Sequence, residues 1–564
     1  MQPGNLNILT RRSFLDRSFK TSLAVALSTL LDIPFVMKRA LAEGSIGLNG
    51  KKVLFIWLRG ANDALNSVIP AGDPQYASSR PTLAVPTGSG WQATSGGAES
   101  FDSGIGPTYG NTNPNDGPLQ PALGLGNGFA ALHPSLKFLA PVYNAGELAL
   151  IHRVAYPRQS RSHFDSQRYW ENGTPNNNLV NDGIFYRTIY QSGLANSSPL
   201  TGVSIQSSLP LILRGSRAAM TNLTDPTRYN LLSIPTPAGD AKADAALFSA
   251  NGIPFPPKLS RELLSLQYQN LQQTLSLFAR IDFRDTGNTF QDDIKTDGDV
   301  AWVAPAGTGG DAARGYFLFP TTNLKNGGWR RPSGANDADK YVVDPSLQNF
   351  FNNLKSAAIV LNKTDAIIAG TEYGGFDTHR AQGQVTGAHP RLNRGIGWAL
   401  YALRKYFTLY ADRATWNDII VVTLSEFGRT TVENSDEGTD HAEAGVIWVA
   451  GGAVKGYGKD VAGSPRPSGV FNCSPTEFAA NSPLNWFDPA NSGRSAMFGV
   501  SNGYLKRNTD YRSVLGEVIR KHLGATLDQL KIILPGYAAP NEALLAGGVS
   551  GVDLTPIRGE VGIL

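Results

Sequence analysis

The chain has 564 residues, with 41% hydrophobic and 17% charged residues, so it is long enough for a large globular domain and too apolar for a disordered chain. The formal charge of +4 sits entirely in the first 42 residues, which hold six basic and two acidic side chains; the remainder is neutral and has no basic patch interleaved with aromatics, which argues against nucleic acid as a partner. A single cysteine, Cys473, excludes an internal disulfide and a thiolate metal site, so any metal must be held by Asp, Glu, His or hydroxyl oxygen.

Taken in chain order, residues 1–42 read as an export leader. Thr10-Arg11-Arg12-Ser13-Phe14-Leu15 is a twin-arginine signature, an apolar stretch runs from Thr21 to Met37, and Ala40-Leu41-Ala42 offers a small-x-small cleavage site. The apolar stretch contains Asp32 and is too short and weak for a stable membrane span. A periplasmic or secreted protein, handled by the twin-arginine export machinery, is the expectation.

Residues 43–540 are expected to form one α/β domain, with residues 541–564 as a loosely ordered tail. Lys52–Leu58 is a continuous apolar run, as in a strand covered on both faces. Residues 85–128 and 284–345 lack periodicity and read as irregular insertions. A second buried strand is expected at 148–154, a helix at 162–171, short β-like runs at 201–214 and a helix at 261–283. Beyond the second insertion come a helix at 345–361, a strand at 366–371 and a helix at 392–409. Strands at 419–424 and 446–450 and a helix at 511–523 complete the series. Strands alternating with helices predict a large, mostly parallel sheet sandwiched by helices, with ligands beyond the carboxyl ends of the strands.

Four segments place polar groups at such ends: Asn62-Asp63, Ser160 to Asp165, Gly374 to His379, and Glu426 with Asp440 and His441. Carboxylates and imidazoles converging from separate loops are the usual make-up of a zinc or manganese site. Each segment also has a plainer reading. Asp63 can hold a turn, Ser162 with Asp165 fits a helix capping box, His163 can pack in the core, and Glu426 can pair with Arg429. Of the other histidines, His133, His389 and His522 look structural, whereas His152 lies near enough to a strand end to support the site.

Taken together, "VLFIWLRGANDALNSVIP", "LALIHRVAYPRQSRSHFDSQRYWENG", "GGFDTH", "VVTLSEFGRTTVEN" and "GTDHAEAGVIWVAGGAV" resemble the bacterial family known as domain of unknown function 1501. One departure is Ala61 and Ala64, where the family usually has glycines. That family resembles the alkaline phosphatase and sulfatase superfamily. The resemblance implies an alkaline phosphatase-like fold and an exported, metal-dependent hydrolase of phosphate or sulfate esters. It implies one metal position on Asp377, His379 and His441, and a second built from Asp63, Ser162 and Glu426. The second lacks its imidazole because Phe427 stands there, with His163 as a substitute ligand. Ser162 would be the nucleophile, and Arg161 or Arg429 would hold the anionic ester. The ion would be a divalent metal, zinc or manganese at the imidazole-rich position and magnesium, calcium or manganese at an all-oxygen one. The rival expectation is a non-catalytic exported binding or assembly protein that keeps the fold with a degraded metal site.

Overall fold

A computed structural model of the chain describes residues 46–87, 122–224, 345–475, 504–537 and 560–564. A few positions within these ranges are excluded (48, 157, 195–199, 217–219, 462–463, 467 and 506), and residues 274, 281 and 319 are described singly. The leader, most of the expected insertion at 85–128, nearly all of that at 284–345 and nearly all of the expected helix at 261–283 lie outside the described residues.

The core is one nine-stranded sheet. Its strands are β1 (Lys52–Leu58), β2 (Leu148–Ala155), β3 (Gly202–Ile205), β4 (Thr221–Leu223), β5 (Ile368–Tyr373), β6 (Ile419–Leu424), β7 (Gly445–Ala450), β8 (Val470–Phe471) and β9 (Thr509–Asp510). Their order is β8-β2-β7-β6-β1-β5-β3-β4, with β9 also paired to β2. β1 sits centrally, parallel to β5 and β6, and every one of its seven residues is buried. Its side chains alternate between two cores, with Leu54, Ile56 and Leu58 on one face and Val53, Phe55 and Trp57 on the other. Because both faces are apolar, the register is set by how each side chain fits its own close-packed core rather than by a choice between core and solvent.

Helices cover both faces. α1 (His163–Asn172), α2 (Ile184–Gln191), α5 (Tyr511–Glu517) and α6 (Leu527–Ile533) pack on the Val53 face. α3 (Pro345–Lys363) and α4 (Ala388–Leu409) pack on the Leu54 face. α1 begins where the Ser162 side chain accepts the Asp165 N–H and ends at Gly173 in a left-handed conformation. The helix expected at 511–523 is α-helical only as far as Glu517 and continues as a π-turn over Val518–His522.

Two features depart from expectation. The sheet is mixed: β7 runs antiparallel to both β2 and β6, while all the other pairings are parallel. The final residues also dock rather than trail. Ile563 is fully buried, and Glu560 pairs with Arg520 and accepts a hydrogen bond from Tyr537. Among the described residues, no helix is long and apolar enough to cross a membrane.

Reversal of β7 decides what the sheet's carboxyl edge carries. β1, β2, β5 and β6 end there, and β7 begins there. The loops after Leu58, Ala155, Tyr373 and Leu424 therefore meet the segment that leads into Gly445.

Candidate metal centre

The chain leaving β6 folds back on itself. Gly428 N–H donates to Glu443 O at 2.8 Å, Ala442 N–H to Gly428 O at 2.9 Å and Thr430 N–H to Asp440 O at 2.9 Å, so Arg429 and His441 lie side by side. The loop after β5 joins this ribbon where Thr439 N–H donates to Thr378 O at 3.1 Å. The approach is close enough to require glycine at position 438, where an added Cβ would stand 2.2 Å from the His379 backbone. Gly60 is constrained in the same way, with φ +107° and only 2.5 Å between an added Cβ and the Asp377 nitrogen.

Arg429 ties these loops together. Its side chain has no exposed surface. Nε donates to Ala61 O at 2.9 Å and Nη1 to Thr439 O at 3.1 Å. Nη2 reaches Phe376 O at 3.1 Å, and also Gly60 O and the Asp377 carboxylate. The expectation that Arg429 holds an anionic substrate is therefore corrected: its fork is committed to carbonyls of three loops and to Asp377.

Around Asp377 three imidazoles converge. The Nε2 atoms of His163 and His441 are 3.0 Å apart, and those of His379 and His441 are 2.9 Å apart. Asp377 Oδ1 lies 3.0 Å from His379 Nε2 and 3.2 Å from His441 Nε2, and Oδ2 lies 3.5 Å from His163 Nε2. His163, Asp377 and His441 have donor atoms within 4.8 Å of one another. His379 joins through its contacts to His441 and Asp377, and its Nε2 also faces Arg429 Nη1 at 3.4 Å.

The opposite ring nitrogens all face acceptors. His163 Nδ1 lies 2.7 Å from Glu426 Oε1, His379 Nδ1 lies 2.9 Å from Asp440 Oδ1, and His441 Nδ1 lies 3.0 Å from Arg161 O. These partners place the ring proton on Nδ1 in each neutral imidazole and leave bare lone pairs on the three Nε2 atoms. Lone pairs and a carboxylate facing one another repel unless a cation lies among them; Arg429, which touches Asp377 and faces His379 Nε2, offsets part of this from one side. For a tetrahedral ion bound at about 2.0–2.1 Å, neighbouring donors stand about 3.3 Å apart. The separations of His441 and Asp377 from each other and from His163 and His379, 2.9 to 3.5 Å, bracket that spacing, and the set whose donors all lie close to one another is His163, Asp377 and His441. A carboxylate or carbonyl behind each imidazole is also the usual support of a metal-ligating histidine.

The charges follow the same geometry. Desolvation pushes the Asp377 carboxyl upward, but the Arg429 hydrogen bond and charge and the His379 charge outweigh it and hold it down at about 2. The hydrogen bond to Glu426 raises His163 above the ordinary histidine value, whereas desolvation and then Arg429 lower His441. Burial opposes ionisation of Glu426, yet hydrogen bonds from His163, Gln167 and backbone N–H groups bring it below the ordinary carboxylate value.

The second expected metal position is not assembled. Asp63 is fully buried; its oxygens accept from Arg80 at 2.6 and 3.1 Å, from Gln382 at 2.7 Å and from the Leu65 N–H at 3.1 Å. It anchors a loop. Ser162 Oγ caps α1, though not as a full capping box, because the Ser162 N–H donates to Ser160 Oγ. Glu426 Oε1 accepts from His163, Gln167 and the Gly60 N–H. His163, expected only as a substitute, stands at the heart of the cluster. The Phe427 ring packs 4.8 Å from both the His163 and the His441 rings, so it serves as an apolar wall for them. Arg161 is exposed, its guanidinium 4.8 Å over the Tyr504 ring. Sequence reasoning missed the orienting role of Asp440, for which adjacency to His441 was the one available signal.

The other four histidines are structural. His133, His152, His389 and His522 are buried and bonded to Gln384 O, Val68 O, Asn62 Oδ1 and Lys52 O respectively.

Residues 340–464 match a family described as a protein of unknown function, DUF1501. That match spans α3 to the start of the region beyond β7 and includes Asp377, His379, Glu426, Arg429 and His441. His163 lies outside it. No curated protein and no solved structure matches the chain.

Replacing Arg429 by Met leaves the carbonyls of Ala61 and Thr439 without the donor they have here, while Phe376 O keeps the Thr378 N–H. With unsatisfied buried acceptors costing about 1–3 kcal/mol each, a loss of about 2 kcal/mol or more in stability to chemical denaturation is expected. Arg429→Lys, which restores charge but not the planar fork, should fall in between. A loss under about 1 kcal/mol for Arg429→Met would contradict the bracing role.

Proposed function

We propose that His163, His379 and His441, through Nε2, and Asp377, through its carboxylate, hold one divalent metal ion, and that the protein hydrolyses phosphate or sulfate esters there. The observation that carries this reading is the convergence of three Nε2 atoms, each with its Nδ1 tied to an acceptor. Three imidazoles and one carboxylate suit zinc or manganese better than magnesium or calcium. A bound ion would supply Lewis acidity, drawing charge from an ester oxygen as the bond breaks.

The chain's own groups supply the rest. Glu426, Asp440 and the Arg161 carbonyl hold the imidazoles in one tautomer and orientation. Arg161, whose carbonyl faces His441, carries an exposed guanidinium suited to an anionic ester. The first turn of α1 carries N–H groups that have no acceptor within the helix, a second favourable setting for negative charge next to His163. Ser162 remains the candidate nucleophile, its hydroxyl at the partly exposed start of α1. The wider kinship with the alkaline phosphatase and sulfatase superfamily is part of this proposal and rests on the motif order. Burial of Arg429 favours the second reading, an exported binding protein that holds a metal without turnover.

Purified protein should contain about one zinc or manganese per chain. His441→Ala should lose it, whereas Arg161→Ala should keep it and lose turnover of aryl phosphate or aryl sulfate. Protein prepared without chelators that holds no divalent ion would rule the reading out. Metal retained with no turnover on either ester would select the second reading.

Affinity for the ion should depend on pH in a defined direction. His163 must lose a proton to ligate, and Glu426 holds that proton to a higher pH than usual. Affinity should therefore rise as pH rises through the His163 titration and fall below it, with protons released on binding. Glu426→Gln should shift this loss to lower pH and weaken binding at high pH by about 10–100-fold. A pH-independent affinity would contradict the ligand set.

Residues 1–42 are proposed to direct twin-arginine export to the periplasm or beyond. Cell fractionation should find the protein outside the cytoplasm, and Arg11→Lys with Arg12→Lys should retain it inside. An unchanged distribution in that double variant would remove the proposal.

A further inference from the structure

We propose that the groove flanking this centre binds a saccharide chain, so that the ester acted on is one carried by a sugar; the second clause rests on the hydrolase reading above, and the first does not. Two cavities of about 490 and 810 Å³ meet at Gln206 and Glu372, which line both. They follow the carboxyl ends of β3 and β5 and the residue after β1. One includes Gly374 and Gly375, the run that leads to Asp377; the other includes Phe164, the neighbour of His163 on α1. The groove therefore borders two of the segments that carry the imidazole cluster.

Its chemistry is that of a hydroxyl-rich ligand. Asn349 and Asn353 line it with planar amides, each carrying a donor and an acceptor as a pair of neighbouring sugar hydroxyls requires, and Gln206 lies deeper, its Nε2 donating to Ser208 O at 3.0 Å and its Oε1 without a partner among the described residues. The Arg59 guanidinium bridges Glu171 at 3.0 Å and Glu372 at 3.1 Å, and Arg168, Arg214 and Arg391 also line the two cavities, so the walls offer planar hydrogen-bond donors beside carboxylate acceptors. Phe164 is 88% exposed at the rim, an aromatic face open to the C–H side of a sugar ring. The large rings beneath, Phe350 and Tyr373, stack at 4.3 Å and are buried, so they form a floor and not an open apolar trench for a peptide. The size of each cavity exceeds what a simple aryl ester would fill.

The test uses the full-length protein and defined oligosaccharides of glucose, xylose and N-acetylglucosamine, each with and without a sulfate substituent, with binding measured by calorimetry. At least one series should bind, and Gln206→Ala and Phe164→Ala should each weaken it by about tenfold while metal content stays unchanged. Failure of every series to bind, or variants that bind as the unaltered protein does, would overturn the groove assignment. Saccharide binding by protein that holds no metal would keep the groove and remove the hydrolase reading. Metal without saccharide binding would do the reverse. Because both variants leave the imidazoles and their partners untouched, the two outcomes separate cleanly.

Discussion

Arg429 carries a full charge with no exposed surface, and the geometry of the carboxyl edge depends on it. Its planar fork accepts no substitute readily, because it meets carbonyls from the loop after β1, the loop after β5 and the return toward β7 at once. The same guanidinium touches Asp377 and faces His379, so loop positions and the ionisation of the site are set by one group. A lysine in its place would offer a point charge to acceptors arranged in a plane. Beneath it, the Asp63–Arg80 pair repeats the device: Arg80 also donates to Thr430 O and Thr431 O, clamping the loop after β1 to the far side of the same ribbon. Two buried guanidiniums thus hold the edge on which three imidazoles meet.

The second constraint is the direction of β7. In a sheet with every strand parallel, the chain would have to cross to the opposite edge before β7, and His441 would enter from the wrong end. Because β7 is antiparallel to β6, a polar loop of modest length returns to the same edge, and backbone pairing of Gly428 with Glu443 and Ala442 sets His441 against Arg429. Gly438 permits the ribbon to touch the His379 backbone. Local sequence and global topology agree here, as a minimally frustrated chain requires.

Much of the fold was legible. β1, β6 and α4 are long, strongly patterned segments, and burial decides them before any tertiary detail enters. The direction of β7 was not legible, because an apolar run of six residues has the same pattern either way. Docking of Ile563 and Glu560 was also hidden: it depends on Arg520 and Tyr537, more than twenty residues away in sequence. At the site, the sequence marked Asp377, His379, His441, Glu426 and His163 by their places after strands. It did not separate ligand from support. A buried carboxylate beside an arginine and one beside an imidazole look alike in sequence, so Asp63 and Glu426 were both offered as ligands, although one anchors Arg80 and the other orients His163. Phe427 was read as a gap in a metal site, whereas its ring walls the imidazoles it adjoins.

The central claim is that the Nε2 atoms of three histidines, with Asp377, surround a divalent ion. X-ray absorption at the metal edge of the purified protein tests it most directly. The account predicts imidazole scattering from about three histidines and one oxygen donor at about 2.0–2.2 Å. A first shell of oxygen alone, or a spectrum without imidazole scattering, would contradict it.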